Sequence, residues 1–128
     1  MKKIIYSPGD PGGIGPDLII KLASSKMWED LKIPIVVIGD SNLFLDRAKL
    51  LKKKIKIYKQ DSTDKVKKNH AGVIQLITVS RCQNTDAGKL DTNNAKYVLN
   101  NLNFSIKQTL FDKEAALVTG PISKENII

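Results

Sequence analysis

Two short stretches of this chain carry residue types and spacings that can do chemistry. The first is "SPGDPGGIGPDL", Ser7 to Leu18, which holds three prolines, four glycines and two aspartates directly after the apolar start "KIIY". A plain strand-to-helix turn needs one glycine. A loop this rich in glycine and proline brings the backbone close to something, often a ligand. Gly12, Gly13 and Gly15 let the chain turn tightly, and their N–H groups can face a bound molecule. Pro16 suits a first helical turn, where its missing N–H would be unbonded anyway. Asp17 complements the positive end of the helix that follows. With Asp10 nearby, the loop carries negative charge of its own. That disfavours a bare phosphate and suits a neutral amide, a hydroxyl or a cation. The second stretch is "TGPISK", Thr119 to Lys124, which also follows an apolar run and opens a helix. Thr119, Gly120 and Lys124 are its candidates for ligand contact, Lys124 for an anion.

Of two common phosphate motifs, one fails and the other is a poor match. A P-loop needs lysine and serine or threonine after its last glycine, but Gly15 is followed by Pro16. The dinucleotide fingerprint G-x-G-x-x-G begins at Gly13 and Gly15, yet Leu18 stands where glycine or alanine is required for close helix packing.

The elements that must position these loops follow from hydrophobic spacing. "KIIY", "IPIVVIGD" (33–40), "KIKIY", "GVIQLITV" (72–79) and "AALVTG" (115–120) read as strands, several buried on both faces. Between them lie helical patterns. Leu18, Ile19, Leu22 and Ala23 share a face that Met27 continues. Phe44, Leu45, Ala48 and Leu51 share another, capped by Asp40 or Ser41. Ala95, Val98, Leu99, Leu102 and Ile106 mark a long helix capped by Asp91 or Thr92. Alternation of strands and helices predicts an α/β fold, a mostly parallel sheet flanked by helices. In such sheets ligands bind beyond the carboxyl ends of strands. The loops at Gly9–Gly15 and at Thr119–Lys124 both sit at such ends, so they are expected to line one cleft.

Composition narrows the function classes. The chain has 128 residues, 41% hydrophobic and 27% charged, which fits one small globular unit. No apolar run is long enough for a membrane span, and the start "MKKIIYSPG" lacks the apolar core of a signal peptide. A cytoplasmic protein with no membrane partner is expected. The net charge of +8 raises nucleic acid as a partner. However, Arg47 and Arg81 are the only arginines, and arginine is the residue preferred for bidentate base and phosphate contacts. No nucleic acid is expected. Cys82 is the single cysteine and reads as a buried, inert thiol. His70 is the single histidine and reads as a surface residue in a lysine-rich connector.

The motifs together resemble the N-terminal part of the 4-hydroxythreonine-4-phosphate dehydrogenase family. The pattern G-D-P-x-G-I-G-P plus an acidic residue is met from Gly9 to Asp17, G-K-L at Gly88 to Leu90, and T-G-P-x-x-K at Thr119 to Lys124. "GGIGPD" is also similar to a loop of isopropylmalate and isocitrate dehydrogenases. The resemblance covers this chain but under half of a usual family member, and the apolar end after a helix start points to missing sequence. It implies an isopropylmalate dehydrogenase-like fold, incomplete here, with residues 1–128 as the N-terminal α/β portion of a longer two-domain homodimer. It implies NAD-dependent oxidation of 4-phosphohydroxythreonine, a phosphorylated hydroxy amino acid, followed by decarboxylation, in pyridoxal phosphate synthesis. It implies a divalent metal (zinc, magnesium or cobalt) held by histidines beyond this chain, so no metal ligand is assigned here, and this portion alone is expected to be inactive. Asp10, Gly12, Gly13, Gly15, Thr119, Gly120 and Lys124 are the expected cleft-lining residues, for cofactor or substrate. The alternatives are a stand-alone nucleotide- or phosphate-binding module, or a dehydrogenase of a related phosphorylated hydroxy acid.

Overall fold

A computed structural model describes residues 2–82 and 94–122. Five strands run in chain order as β1 (Lys3–Ser7), β2 (Ile35–Ile38), β3 (Lys56–Gln60), β4 (Val73–Ile77) and β5 (Ala115–Thr119). The helices are α1 (Gly15–Ala23), α2 (Met27–Asp30), α3 (Ser41–Leu50) and α4 (Ala95–Phe111). Among the described residues the sheet is parallel throughout, in the order β3-β4-β2-β1-β5.

Given that order, one rule of handedness places the helices. Crossovers between parallel strands are right-handed, so reversing the direction of travel across the sheet moves the connection to the other face. From β1 through β2 to β3 the chain travels one way, and α1 and α3 lie together on one face. From β3 through β4 to β5 it travels back, and α4 packs on β1 and β5. The core divides accordingly. Tyr6, Val37, Ile74 and Leu76 pack with Ile19, Ile20, Phe44 and Trp28 in the first cluster, which Tyr97 and Val98 at the start of α4 also join. Ile5, Val36, Ile38 and Ile77 pack with Phe104 and Val66 in the second. Alternate residues of each strand serve opposite clusters, as the two-residue period of a strand requires.

Helix ends follow local chemistry. Asp40 caps α3 by accepting the Asn42 N–H at 3.1 Å, as the sequence suggests. Pro16 sits in the first turn of α1. At the other end, Ser24 donates its hydroxyl to the Ile20 carbonyl at 2.7 Å.

Three expectations about helix faces need correction. Met27 does not continue the α1 face: it is 62% exposed, because the chain breaks after Ser24 and restarts as the short α2. Trp28 is the buried residue there, and its indole N–H reaches the Val73 carbonyl at 3.0 Å. On α3, Leu45 is exposed, while Leu43 and Arg47 turn inward. On α4, Ile106 is exposed, and the buried line is Tyr97, Val98, Asn101 and Ser105. A count of apolar positions misses that line because it includes polar residues. Ser105 is tolerated in it by donating to the Asn101 carbonyl at 2.7 Å. The caps expected at Asp91 or Thr92 lie outside the described residues.

The connector between β3 and β4 is mostly exposed, His70 included, but Asn69 is buried. Its side chain accepts the Ile35 N–H and donates to the Ile33 carbonyl, each at 3.0 Å. One asparagine thus supplies the start of β2 with the hydrogen bonds a neighbouring backbone would otherwise give.

Candidate functional site

β1 and β5 are neighbours in register, with Ser7 opposite Thr119. The loops that follow them therefore leave the same edge of the sheet side by side. They touch directly: the Gly120 N–H donates to the Ser7 carbonyl at 2.7 Å, and the Asp10 N–H to the Pro121 carbonyl at 3.3 Å. The structure thus brings together the loop that carries Asp10, Gly12, Gly13 and Gly15 and the loop that carries Thr119 and Gly120. Lys124 lies outside the described residues, as does the motif from Gly88 to Leu90.

The reason for the glycines differs from the expected one. A Cβ on Gly15 would lie 1.7 Å from the Pro8 carbonyl oxygen, and a Cβ on Gly120 only 2.0 Å from that same oxygen. Gly9 has φ +84°, and a Cβ there would lie 2.3 Å from the Pro121 oxygen. The two loops are packed backbone against backbone, and the crowding is internal rather than against a ligand. Gly13 is less constrained, since its nearest neighbour, the Asp10 carbonyl oxygen, would be 3.3 Å from a Cβ. Its own N–H is spent on that carbonyl at 3.0 Å.

The charge reading of the loop also changes. Asp17 is paired: Arg47 Nη1 lies 2.7 Å from its Oδ1. The same nitrogen donates to the Gly13 carbonyl at 3.1 Å, and Arg47 Nη2 donates to the Pro11 carbonyl. Arg47 is 2% exposed. Asp17 therefore contributes no net negative charge, and the argument against an anionic ligand loses one of its two carboxylates. Asp10 is buried beside Gly13. Sequence reasoning passed over Arg47. The signal was its place in the inward line of α3, with Leu43, Phe44 and Ala48, where an arginine must find partners.

Beside these loops an apolar groove of about 270 Å³ opens between α1 and β5. Ile4, Tyr6, Leu18, Leu22 and Val118 form its walls, and Thr119 and Pro121 lie at its loop end. The Tyr6 hydroxyl is turned to the Gly15 carbonyl at 2.9 Å, and burial pushes its phenol pKa up. The groove offers carbon surface and no acid or base.

A polar cluster lies at the carboxyl end of β2. The Asp40 N–H donates to the Tyr97 hydroxyl at 2.9 Å. Asp40 Oδ2 accepts the Cys82 N–H at 3.2 Å and faces Cys82 Sγ at 3.7 Å. Burial, then the Asp40 charge, pushes the Cys82 thiol up to about 12. Burial likewise raises the Tyr97 phenol. Both groups stay protonated, which supports the reading of Cys82 as inert, although it is half-buried rather than buried.

Cofactor fit can be tested on this geometry. Among the described residues no group of three or more His, Cys, Asp or Glu side chains could hold a metal ion. The Cβ positions of Gly9, Gly15 and Gly120 are taken by the chain's own Pro8 and Pro121 oxygens, so these three glycines leave no cradle for a dinucleotide pyrophosphate. The described residues supply no ligand set for a metal, and no chemical step is assigned to them here.

Residues 30–128 match the family model described as pyridoxal phosphate biosynthetic protein PdxA. The chain is 34% identical over 124 residues to the 4-hydroxythreonine-4-phosphate dehydrogenase of Vibrio parahaemolyticus, covering 97% of this chain and 36% of that protein. It is 35% identical over 122 residues to the enzyme of that name from Pseudoalteromonas translucida, covering 95% and 36%. The chain thus spans little more than a third of the length of these relatives. Among solved structures it superposes on a 4-hydroxythreonine-4-phosphate dehydrogenase from Burkholderia phymatum with a TM-score of 0.85 at 19% identity, covering 99% of this chain and 38% of that one. The corresponding Klebsiella pneumoniae structure gives a TM-score of 0.81 at 22% identity, covering 99% and 39%. These superpositions show the parallel α/β fold.

Proposed function

Since this chain belongs to the PdxA family of pyridoxal phosphate biosynthetic proteins, we propose that it is the N-terminal α/β portion of a two-domain dehydrogenase. The proposed overall reaction is oxidation of the secondary alcohol of 4-phosphohydroxythreonine. A hydride passes to NAD, a proton is released, and a ketone forms β to the carboxylate. That β-keto acid then loses carbon dioxide to leave an amino-ketone phosphate. The observation that carries the reading is the near-complete coverage of this chain by relatives of that name, with the two motif loops in contact at one sheet edge. A divalent metal and NAD belong to the reading through family resemblance, with their main ligands outside the described residues. The same resemblance supports a homodimer, and the start "MKKIIYSPG", which lacks a signal-peptide core, favours the cytoplasm. No helix among the described residues is long and apolar enough to cross a membrane.

In this reading the described residues act as frame. The Gly9, Gly15 and Gly120 packing locks the β1 and β5 loops together, so that one wall of the cleft has a single shape. Preorganisation of this kind lowers the ordering cost of substrate binding.

The test follows NADH absorbance with 4-phosphohydroxythreonine, NAD and a divalent metal, on the 128-residue chain and on the longest polypeptide that contains it. The longer polypeptide should reduce NAD and release carbon dioxide, and the 128-residue chain should do neither. Absence of metal-dependent NAD reduction by the longer polypeptide, with this or related phosphorylated hydroxy acids, would overturn the reading. Turnover by the 128-residue chain would place the whole site within these residues and refute its role as frame only.

A further inference from the structure

The opening loop is held from the α3 side by Arg47, a side chain that no motif includes. Arg47 reaches from α3 to three acceptors: the carbonyls of Pro11 and Gly13 and the carboxylate of Asp17. Two of the three are loop backbone, so the guanidinium fixes peptide orientation as well as charge. The peptide units here are trans. In a planar trans peptide the N–H points opposite to the carbonyl. With the Pro11 and Gly13 carbonyls turned onto Arg47, the N–H groups of Gly12 and Ile14 must point away from it. The Gly13 N–H between them is already bonded to Asp10.

We propose that Arg47 is a positioning residue for the candidate cleft. It sets the direction in which the 11–12 and 13–14 peptides face, and so presents the Gly12 and Ile14 N–H groups on the side of the loop away from α3. A lysine cannot replace it, because one ammonium is a point charge while the planar fork of arginine reaches several acceptors at once. The Asp17 pair alone does not explain the arrangement. Charge neutralisation needs one bond, and an apolar pair of similar volume can replace a buried ion pair without loss. The proposal rests on the reading of the opening loop as a wall of the substrate cleft.

The test uses Arg47→Lys, which keeps a cation opposite Asp17, and Arg47→Ala. Amide hydrogen exchange is followed at Gly13, whose N–H is bonded to the Asp10 carbonyl, with the β2 amides as reference. KM and kcat are measured in the longer polypeptide. In Arg47→Lys the Gly13 amide should exchange about tenfold faster or more while β2 is unchanged, and KM should rise by about tenfold with a smaller change in kcat. Methylguanidinium added to Arg47→Ala should restore part of the slow exchange and part of the lost affinity. If Arg47→Ala does not fold, Arg47→Lys decides. Unchanged Gly13 exchange and KM in Arg47→Lys would overturn the proposal. So would equal acceleration of the Gly13 and β2 amides, since that is loss of global stability. If the loop responds but the wild-type longer polypeptide does not reduce NAD, the clamp stands and the dehydrogenase reading falls. If the wild type is active and KM does not move, the positioning role falls and the dehydrogenase reading stands.

Discussion

Gly15→Ala should be among the most damaging single-methyl additions this fold can receive. The new Cβ would lie 1.7 Å from the Pro8 carbonyl oxygen, and real Cβ atoms essentially never approach within 3.0 Å of a neighbour. The Pro8 peptide would have to retreat by more than an ångström. It has nowhere to go, because the same oxygen already sits 2.0 Å from the position a Gly120 Cβ would take. Any retreat drags on the Gly120–Ser7 hydrogen bond and on the Tyr6 hydroxyl bonded to Gly15. Overpacking costs about 1–3 kcal/mol, and each hydrogen bond weakened adds about 1 kcal/mol. The alanine gains back about 0.4–1 kcal/mol by restricting the unfolded chain, which does not offset the clash. The net is about 3 kcal/mol, a large share of the roughly 5–15 kcal/mol that holds a domain folded, and it lowers the melting temperature by about 10 °C. Urea and thermal unfolding followed by circular dichroism read it directly. Gly13→Ala is the control, since its nearest contact at 3.3 Å can relax, and should cost less than about 1 kcal/mol. The reasoning is refuted if Gly15→Ala stays within about 1 kcal/mol of wild type, or if the two variants are equally damaged.

Gly13→Val in the longer polypeptide should reduce substrate or cofactor affinity more than it reduces stability, and wild-type kinetics would mean that the loop is only a connector. Asn69→Ala should destabilise by about 2–4 kcal/mol in urea melts, because it strands the buried Ile35 N–H and the Ile33 carbonyl. Iodoacetamide should label Cys82 at pH 8 on the order of a thousandfold more slowly than a free thiol, given a thiol held at about 12, and Asp40→Asn should speed the reaction. The thiol pKa is raised on folding. Its contribution to stability is therefore whole below the unfolded value of about 8.5 and lost as pH climbs toward 12. Urea midpoints should fall with rising pH across that window, and less steeply in Cys82→Ala.

The strand centres were legible because each is an apolar run too dense for a surface helix, and the parallel class followed from their alternation with helices. Helix faces were less legible. The α4 line contains Asn101 and Ser105, whose polarity hides an inward position, and the break before Trp28 has no glycine or proline to announce it. The sequence put both motif loops at the carboxyl ends of strands, and the structure brings those loops into contact. Glycine spacing reveals that backbone comes close to something, but only the β1–β5 pairing shows that the something is the other loop. Arg47 was the costliest omission. A pattern read from apolar residues discards an arginine among Leu43, Phe44 and Ala48, although that placement is what marks it as bonded.

The strand order also sets a schedule for synthesis. β1 lies inside the sheet, with β2 on one side and β5 on the other. Ile4 meets Ile35 of β2, but Lys3 meets Ala115 of β5. At about 5–20 residues per second on the ribosome, the first partner follows β1 within about 2–6 s and the second only after roughly 6–22 s. There is no hairpin among these pairings to form early, and long-range parallel pairing is slow in itself. The glycine contacts between Pro8, Gly15 and Gly120 close only when the last described strand has been made. The opening motif is thus made before either sheet partner of β1 and takes its final shape only after the second of them exists.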